Sequence, residues 1–125
     1  MKVVSLFSGA GGLDRGFEDA GMEIIWANEF DKKIHSTFRR NFPHTVLDTR
    51  SITDVETNEI PDCDGIIGGP PCQDFSSAGK RIESKNANLT VIFAEIIKKI
   101  SPKFFVMENV SRAKNSFSYL RAKKI

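Results

Sequence analysis

The stretch KVVSLFSGAGGLDRGFEDAG, Lys2 to Gly21, decides the fold. Its first part, Lys2 to Phe7, is short, apolar and β-branched, and it runs into glycines; this reads as a buried strand. Its second part carries Leu13, Phe17 and Ala20 at helical spacing and closes on Gly21, which reads as a helix with a glycine stop. The same alternation continues along the chain. Met22 to Asn28 reads as a second strand. Asp31 to Phe42 reads as a helix capped by Asp31, with Ile34 and Phe38 on one face and Pro43 as its stop. Thr45 to Leu47 reads as a brief third strand and Asp64 to Gly69 as a fourth. Leu89, Ile92, Phe93, Ile96, Ile97 and Ile100 recur at the 3.6 period of a helix, and Lys103 to Asn109 reads as a fifth strand. Strands alternating with helices predict an α/β fold with a doubly wound parallel sheet. No internal repeat, linker or second domain interrupts the pattern.

The totals agree with that reading. A chain of 125 residues is long enough for one domain with a core, and 40% hydrophobic content with balanced charge excludes the disordered and fibrous classes. No apolar run approaches a membrane span and the N-terminus lacks a signal-peptide pattern, so the expected location is the cytoplasm. The two cysteines, Cys63 and Cys72, form no C-x-x-C pair and no disulfide framework, so both thiols are expected free. After Glu108 the chain holds Arg112, Lys114, Arg121, Lys123 and Lys124 and no acid. The net charge of +2 therefore hides a remainder at −3. A basic end suits a nucleic-acid partner and equally a solvated terminus.

Doubly wound sheets bind ligands at the carboxyl ends of their strands, and the unusual residues fall there. Gly9 to Gly12 follow strand one, where glycines let a ligand touch the backbone and a helix N-terminus offers unpaired N–H groups. The pattern is neither G-x-G-x-x-G nor a phosphate-gripping P-loop, so a tight structural turn is an equal reading. Glu29 ends strand two, 17 residues after Gly12, where a carboxylate can take both hydroxyls of a ribose. Phe30 beside it could lie on an adenine face or pack in a core. Pro70 and Pro71 fix the backbone directly before Cys72 and hold its thiol where a cleft should lie. A zinc-deaminase site fails, because Phe75 stands where P-C-x-x-C needs its second cysteine and no H-x-E occurs; no metal is expected. A buried, inert cysteine is the alternative for Cys72, and Cys63 fits an unremarkable role. Glu108 ends an apolar strand, where burial would be costly unless the carboxyl were paired or protonated; a protonated acid there could donate to a ring nitrogen.

Taken together these residues resemble the DNA (cytosine-5) methyltransferases. FSGAGGLD resembles the motif that cradles S-adenosylmethionine, NEFD the acidic second motif, GGPPCQDFSSAG the proline-cysteine loop and MENV the Glu-Asn-Val motif, in the family's order and spacing. The resemblance covers the chain to about Val110. It implies a Rossmann-like S-adenosylmethionine-dependent methyltransferase fold, incomplete at its C-terminus. It implies Cys72 as the nucleophile on carbon 6 of cytosine and Glu108 as the group at ring nitrogen 3. It assigns cofactor contacts to Phe7, Ser8, Gly9, Ala10, Gly11, Gly12, Leu13, Glu29, Phe30, Ser51, Ile52, Pro70 and Leu89. The partner implied is double-stranded DNA with a flipped cytosine, and Ser76 to Gly79 suit a loop that closes on it.

Three features depart from the family pattern. The aspartate of its third motif, near the adenine amino group, is replaced in LDTRSIT by Ser51 before Ile52, with Asp48 three places earlier. The Arg-Gly before the long helix is replaced by NANL. No counterpart of the Gln-x-Arg-x-Arg motif, the target-recognition domain or the final cofactor-pocket motif occurs. Residues 1–110 are therefore expected to form the cofactor and nucleophile part of a methyltransferase domain, with 111–125 a basic tail of a truncated remainder. The strongly apolar fifth strand calls for a central place, yet no further strand is legible after it, so its edge is expected open and the chain inactive without a complementary C-terminal part. An RNA cytosine methyltransferase of the same architecture and a non-catalytic cofactor- or partner-binding fragment are the competing readings.

Overall fold

A computed structural model describes residues 1–71 and 80–108, with side chains on the long helix described from Leu89 onward. Cys72, Ser76 to Gly79, Asn109 and the basic tail lie outside the described residues. The elements run β1 (Lys2–Leu6), α1 (Gly12–Asp19), β2 (Glu23–Asn28), α2 (His35–Asn41), β3 (Val46–Asp48), β4 (Gly65–Gly68), α3 (Lys80–Ile100) and β5 (Phe104–Met107). They form one five-stranded sheet in the order β3-β2-β1-β4-β5, and every pairing is parallel. The α/β reading and all five strands stand.

The differences have local causes. The second helix is shorter than expected, because Asp31 caps a 3-10 turn, Lys32–Ile34, that feeds α2; its carboxylate accepts from Lys33 N–H at 3.0 Å. The third strand lies one residue later, at Val46–Asp48. The long helix starts at Lys80, well before its first apolar repeat at Leu89, through a polar segment in which periodicity carries no signal. Two further 3-10 turns, Ile52–Asp54 and Thr57–Glu59, fill the connection from β3 to β4 and bury Ile52 and Ile60 against the sheet.

The strands are continuously apolar because both faces of the sheet are covered. Val4, Leu6, Trp26 and Ile66 face α3 and meet Phe93, Ile96 and Ile97. Val3, Ile24 and Ile67 face the other way and meet Leu13 and Phe17 of α1, while Ala27 packs on Phe38 of α2 and on Phe42, which follows that helix. Strand β5 is an edge among the described residues. It pairs with β4, and Phe105 and Val106 remain 37% and 36% exposed. The apolar edge read from the sequence is thus present, at the rim of the sheet.

Strand β1 has β2 on one side and β4 on the other. The chain builds outward from β1 to β3, then returns to β4 on the opposite side. Its direction reverses there, so a crevice opens at the carboxyl ends of β1 and β4. Two glycines permit that junction. Gly68 lies so close to the Leu6 carbonyl and the Phe93 ring that a Cβ would collide with both. Gly11 caps α1 at φ 96°, and the Phe42 ring fills the place its Cβ would take. Gly11→Ala is expected to cost about 1–3 kcal/mol, from the left-handed backbone and the displaced ring. Gly12→Ala, with no atom near its Cβ position, is expected to be neutral or slightly stabilising. Urea unfolding of both variants measures the contrast; equal midpoints would refute it.

Candidate functional site

The loop from Phe7 to Gly11 leaves β1 through three left-handed residues, Phe7 at φ 52°, Gly9 at φ 58° and Gly11 at φ 96°. A phenylalanine in that region is uncommon and is held by packing. One side of its ring meets Phe93 of α3, centroids 6.5 Å apart. The reversal points Gly9 N–H across to the end of β2, where it donates to Glu29 Oε1 at 2.8 Å. Asp31 N–H donates to Glu29 Oε2 at 2.9 Å. The carboxylate is therefore fixed by one backbone amide on each oxygen. Each oxygen retains acceptor capacity for a further donor.

Glu29 lines a cleft of about 760 Å³ together with Phe7, Gly9, Phe30, Ser51, Ile52, Pro71 and Leu89. Phe30 is 65% exposed, a flat apolar plate at the mouth, and Ile52 is buried behind it. Apolar walls around one fixed acid suit a planar ring attached to a hydroxylated sugar. Lys32 and Lys33 stand at the rim. A second cleft of about 470 Å³ holds Ser8, Gly12, Leu13, Asp14 and Glu108, and it shares Phe7, Gly9 and Gly69 with the first.

The sequence-predicted residues divide accordingly. Phe7, Ser8, Gly9, Gly12, Leu13, Glu29, Phe30, Ser51, Ile52 and Leu89 line one or both clefts. Ala10, Gly11 and Pro70 line neither: Ala10 is exposed, Gly11 is under Phe42 and Pro70 is buried, with Pro71 facing the cleft instead. Ser51, not Asp48, faces the first cleft. Arg50 holds Asp48 aside through a 2.7 Å ion pair and also reaches Glu59 at 3.2 Å. Those Arg50 hydrogen bonds keep the Asp48 carboxyl below the usual carboxylate range. Glu108 sits just past β5, its N–H bonded to Gly68 O at 2.9 Å, and is exposed. The burial cost anticipated for an acid ending so apolar a strand is not incurred, because β5 is an edge.

Cys63 is half-buried against the α3 side of the core. Burial, reinforced by the charges of Asp64 and Asp62, pushes its thiol pKa up, which keeps it protonated and a poor nucleophile. Among the described residues no cluster of His, Cys, Asp and Glu could hold a metal ion, and no helix is long and apolar enough to cross a membrane.

Sequence reasoning missed Asp14. It stands in the first turn of α1, where an acid reads as an ordinary dipole partner. In the fold it is fully buried beside the second cleft. Ser5 Oγ donates to Oδ1 at 2.9 Å, and Oδ2 has no partner among the described residues. Burial raises its pKa to about 6, only partly opposed by the Ser5 hydrogen bond. The available signal was Ser5, the one polar residue inside an apolar strand. Asn28 was also missed as a clasp; its side-chain amide donates to Asp48 O at 3.1 Å and Arg50 O at 2.8 Å.

A family model described as C-5 cytosine-specific DNA methylase matches residues 1–125. The chain is 50% identical over 112 residues to the Type II methyltransferase M.FnuDI of Fusobacterium nucleatum, covering 88% of this chain and 32% of that protein. It is 50% identical over 114 residues to M.NgoPII of Neisseria gonorrhoeae, covering 89% of this chain and 33% of that one. The chain thus spans about a third of the length of these relatives. Among solved structures, a protein described as a DNA modification methyltransferase encoded in an E. coli prophage superposes with TM-score 0.83 at 30% identity, over 99% of this chain and 36% of that one.

Asp14 sets a pH dependence. Its carboxyl holds a proton more tightly folded than unfolded, so the fold binds more protons between its unfolded value of 3.8 and about 6. Stability should therefore fall as pH rises through that window, by up to about 3 kcal/mol, and level off above it. Asp14→Asn, which keeps an acceptor for Ser5 without the charge, should flatten that slope and raise stability at pH 7. Urea unfolding from pH 4 to 7.5 measures it; parallel profiles for both proteins would refute the assignment.

Proposed function

The chain belongs to the C-5 cytosine-specific DNA methylase family, and from that premise we propose that it is the cofactor and nucleophile part of an enzyme that methylates carbon 5 of cytosine in DNA. The observation that carries this reading is the amide-pinned Glu29 carboxylate beside the apolar plates of Phe30 and Ile52. That arrangement fits the adenosine end of S-adenosylmethionine. Glu29 would accept from the ribose hydroxyls, Phe30 and Ile52 would flank the adenine, and Ser51 would meet the adenine edge. The glycine loop lets the ligand pass close to the backbone toward the second cleft. When bound, S-adenosylmethionine supplies an electrophilic methyl group.

Carbon 5 of cytosine is too weak a nucleophile to take that methyl unaided. Cys72 follows Pro71, which lines the first cleft, and its thiolate adds to carbon 6, so that carbon 5 becomes enamine-like. Glu108 holds the ring at nitrogen 3 and offsets the charge that develops there. After carbon 5 is methylated it loses its proton, the carbon 5–carbon 6 double bond re-forms and the Cys72 thiolate departs. A base stacked in a duplex cannot reach such a crevice, so the target must flip out, at a cost of a few kcal/mol. The exposed Phe105 and Val106 of β5 suit pairing with a complementary C-terminal part that would also read the target sequence.

The chain reconstituted with such a part, on duplex DNA carrying 5-fluorocytosine, should trap a covalent adduct, because fluorine cannot leave as a proton does. Cys72→Ser should abolish the adduct and Cys63→Ser should not. An adduct that survives Cys72→Ser overturns the nucleophile, and methylation of tRNA in place of DNA overturns the substrate. Glu29→Ala should weaken S-adenosylhomocysteine binding by about tenfold to a hundredfold, the worth of charge-assisted hydrogen bonds to two hydroxyls. Calorimetry with unchanged affinity would sink the ribose assignment.

A further inference from the structure

Glu29 is held at every polar group it has. Its N–H donates to Asp48 O at the end of β3, 3.0 Å away. Its two carboxylate oxygens take the amides of Gly9 and Asp31. Its carbonyl lies 2.7 Å from Nε2 of His35, the first residue of α2. Three of these partners are backbone groups that any side chain would leave in place. The fourth is the one side chain in the set.

A carbonyl oxygen can only accept, so the His35 ring must carry its hydrogen on Nε2. The accepting carbonyl belongs to the peptide joining Glu29 to Phe30. Its direction sets ψ of Glu29 and the course of the turn through Asp31, whose N–H holds the second carboxylate oxygen. The turn is otherwise closed by local bonds alone, Lys33 N–H to Asp31 Oδ1 at 3.0 Å and Ile34 N–H to Asp31 O at 3.2 Å. Among the described residues, His35 alone bonds Glu29 itself directly to the helix. Phe30 lies inside the same turn.

We propose that His35 is a positioning residue: its imidazole fixes the Glu29–Phe30 peptide, and through it the carboxylate that receives the ribose. The ribose half of this statement rests on the reading given under Proposed function. His35→Leu removes the donor. His35→Gln keeps an N–H at similar reach. His35→Asn keeps a polar side chain too short to reach, and replaces the leucine variant should that one fail to fold. His44→Gln, at the exposed second histidine, is the control.

Two measurements decide it. In the ligand-free chain, hydrogen exchange at the Gly9 and Asp31 amides should quicken about fivefold in His35→Leu, as expected for loss of one hydrogen bond, and stay near wild type in His35→Gln and His44→Gln. Wild-type exchange at both amides in folded His35→Leu or His35→Asn overturns the proposal. S-adenosylhomocysteine should then bind the donor-less variant about fivefold more weakly, while an analogue lacking both ribose hydroxyls binds it as it binds wild type. Equal losses for the two ligands overturn the positioning role, because the effect then does not pass through Glu29. Quickened exchange with unchanged S-adenosylhomocysteine affinity supports the positioning and overturns the ribose reading instead.

Discussion

The pairing of β1 with a strand on each edge is the constraint on which the rest of this structure depends. Val3, Val4 and Leu6 are wholly buried, and the strand is bonded to β2 on one side and β4 on the other. Both neighbours are parallel, so all three strands end on the same side of the sheet. The glycine loop, Glu29 and the Gly69–Pro71 segment are therefore brought together by strand direction alone. The Gly9–Glu29 hydrogen bond completes this, since it joins the ends of β1 and β2 through a side chain that lines the first cleft.

The two clefts divide the chemistry by environment. Around Glu29 apolar side chains stand beside a carboxylate stabilised by backbone amides, a setting that favours recognition of neutral polar groups. Around Asp14 and Glu108 two carboxyl groups face one space under different conditions. Asp14 is sealed in with one oxygen unpartnered among the described residues, and its desolvation weighs on stability. Glu108 is exposed just past β5. The cysteines separate in the same manner. Cys63 is half-buried between two acids that disfavour its thiolate. Cys72 follows two prolines in the sequence.

Much of the fold was legible because its signals are local. β-branched runs ending in glycine, a helix punctuated by Gly21 and the Leu89–Ile100 repeat each report the periodicity of their own segment. The polar first half of α3 and the two 3-10 turns before β4 were not legible, because no apolar repeat marks them. At the site, residue type and position marked Glu29 and Phe30, the resemblance to the methyltransferases marked Ser51 and Leu89, and all four line the first cleft. Ala10, Gly11 and Pro70 were marked by the same motifs yet face away from it. A motif records which residues occur together, and the backbone direction at each one decides which side it presents.

By itself the sequence determined the α/β class, the five strands, the family and the short set of residues able to do chemistry at strand ends. Those follow from near-neighbour patterning and from motif order, which need no coordinates. Only the tertiary structure decided the strand order, and with it that Glu108 is exposed at the rim of the sheet. Only the structure decided that Arg50 draws Asp48 aside and leaves Ser51 at the cleft, that Asp14 is buried with an unmet oxygen, and that His35 reaches Glu29. The strand order and the burial of Asp14 are set by how the elements pack, while the Arg50–Asp48 and His35–Glu29 bonds depend on turn geometry that no periodic pattern reports.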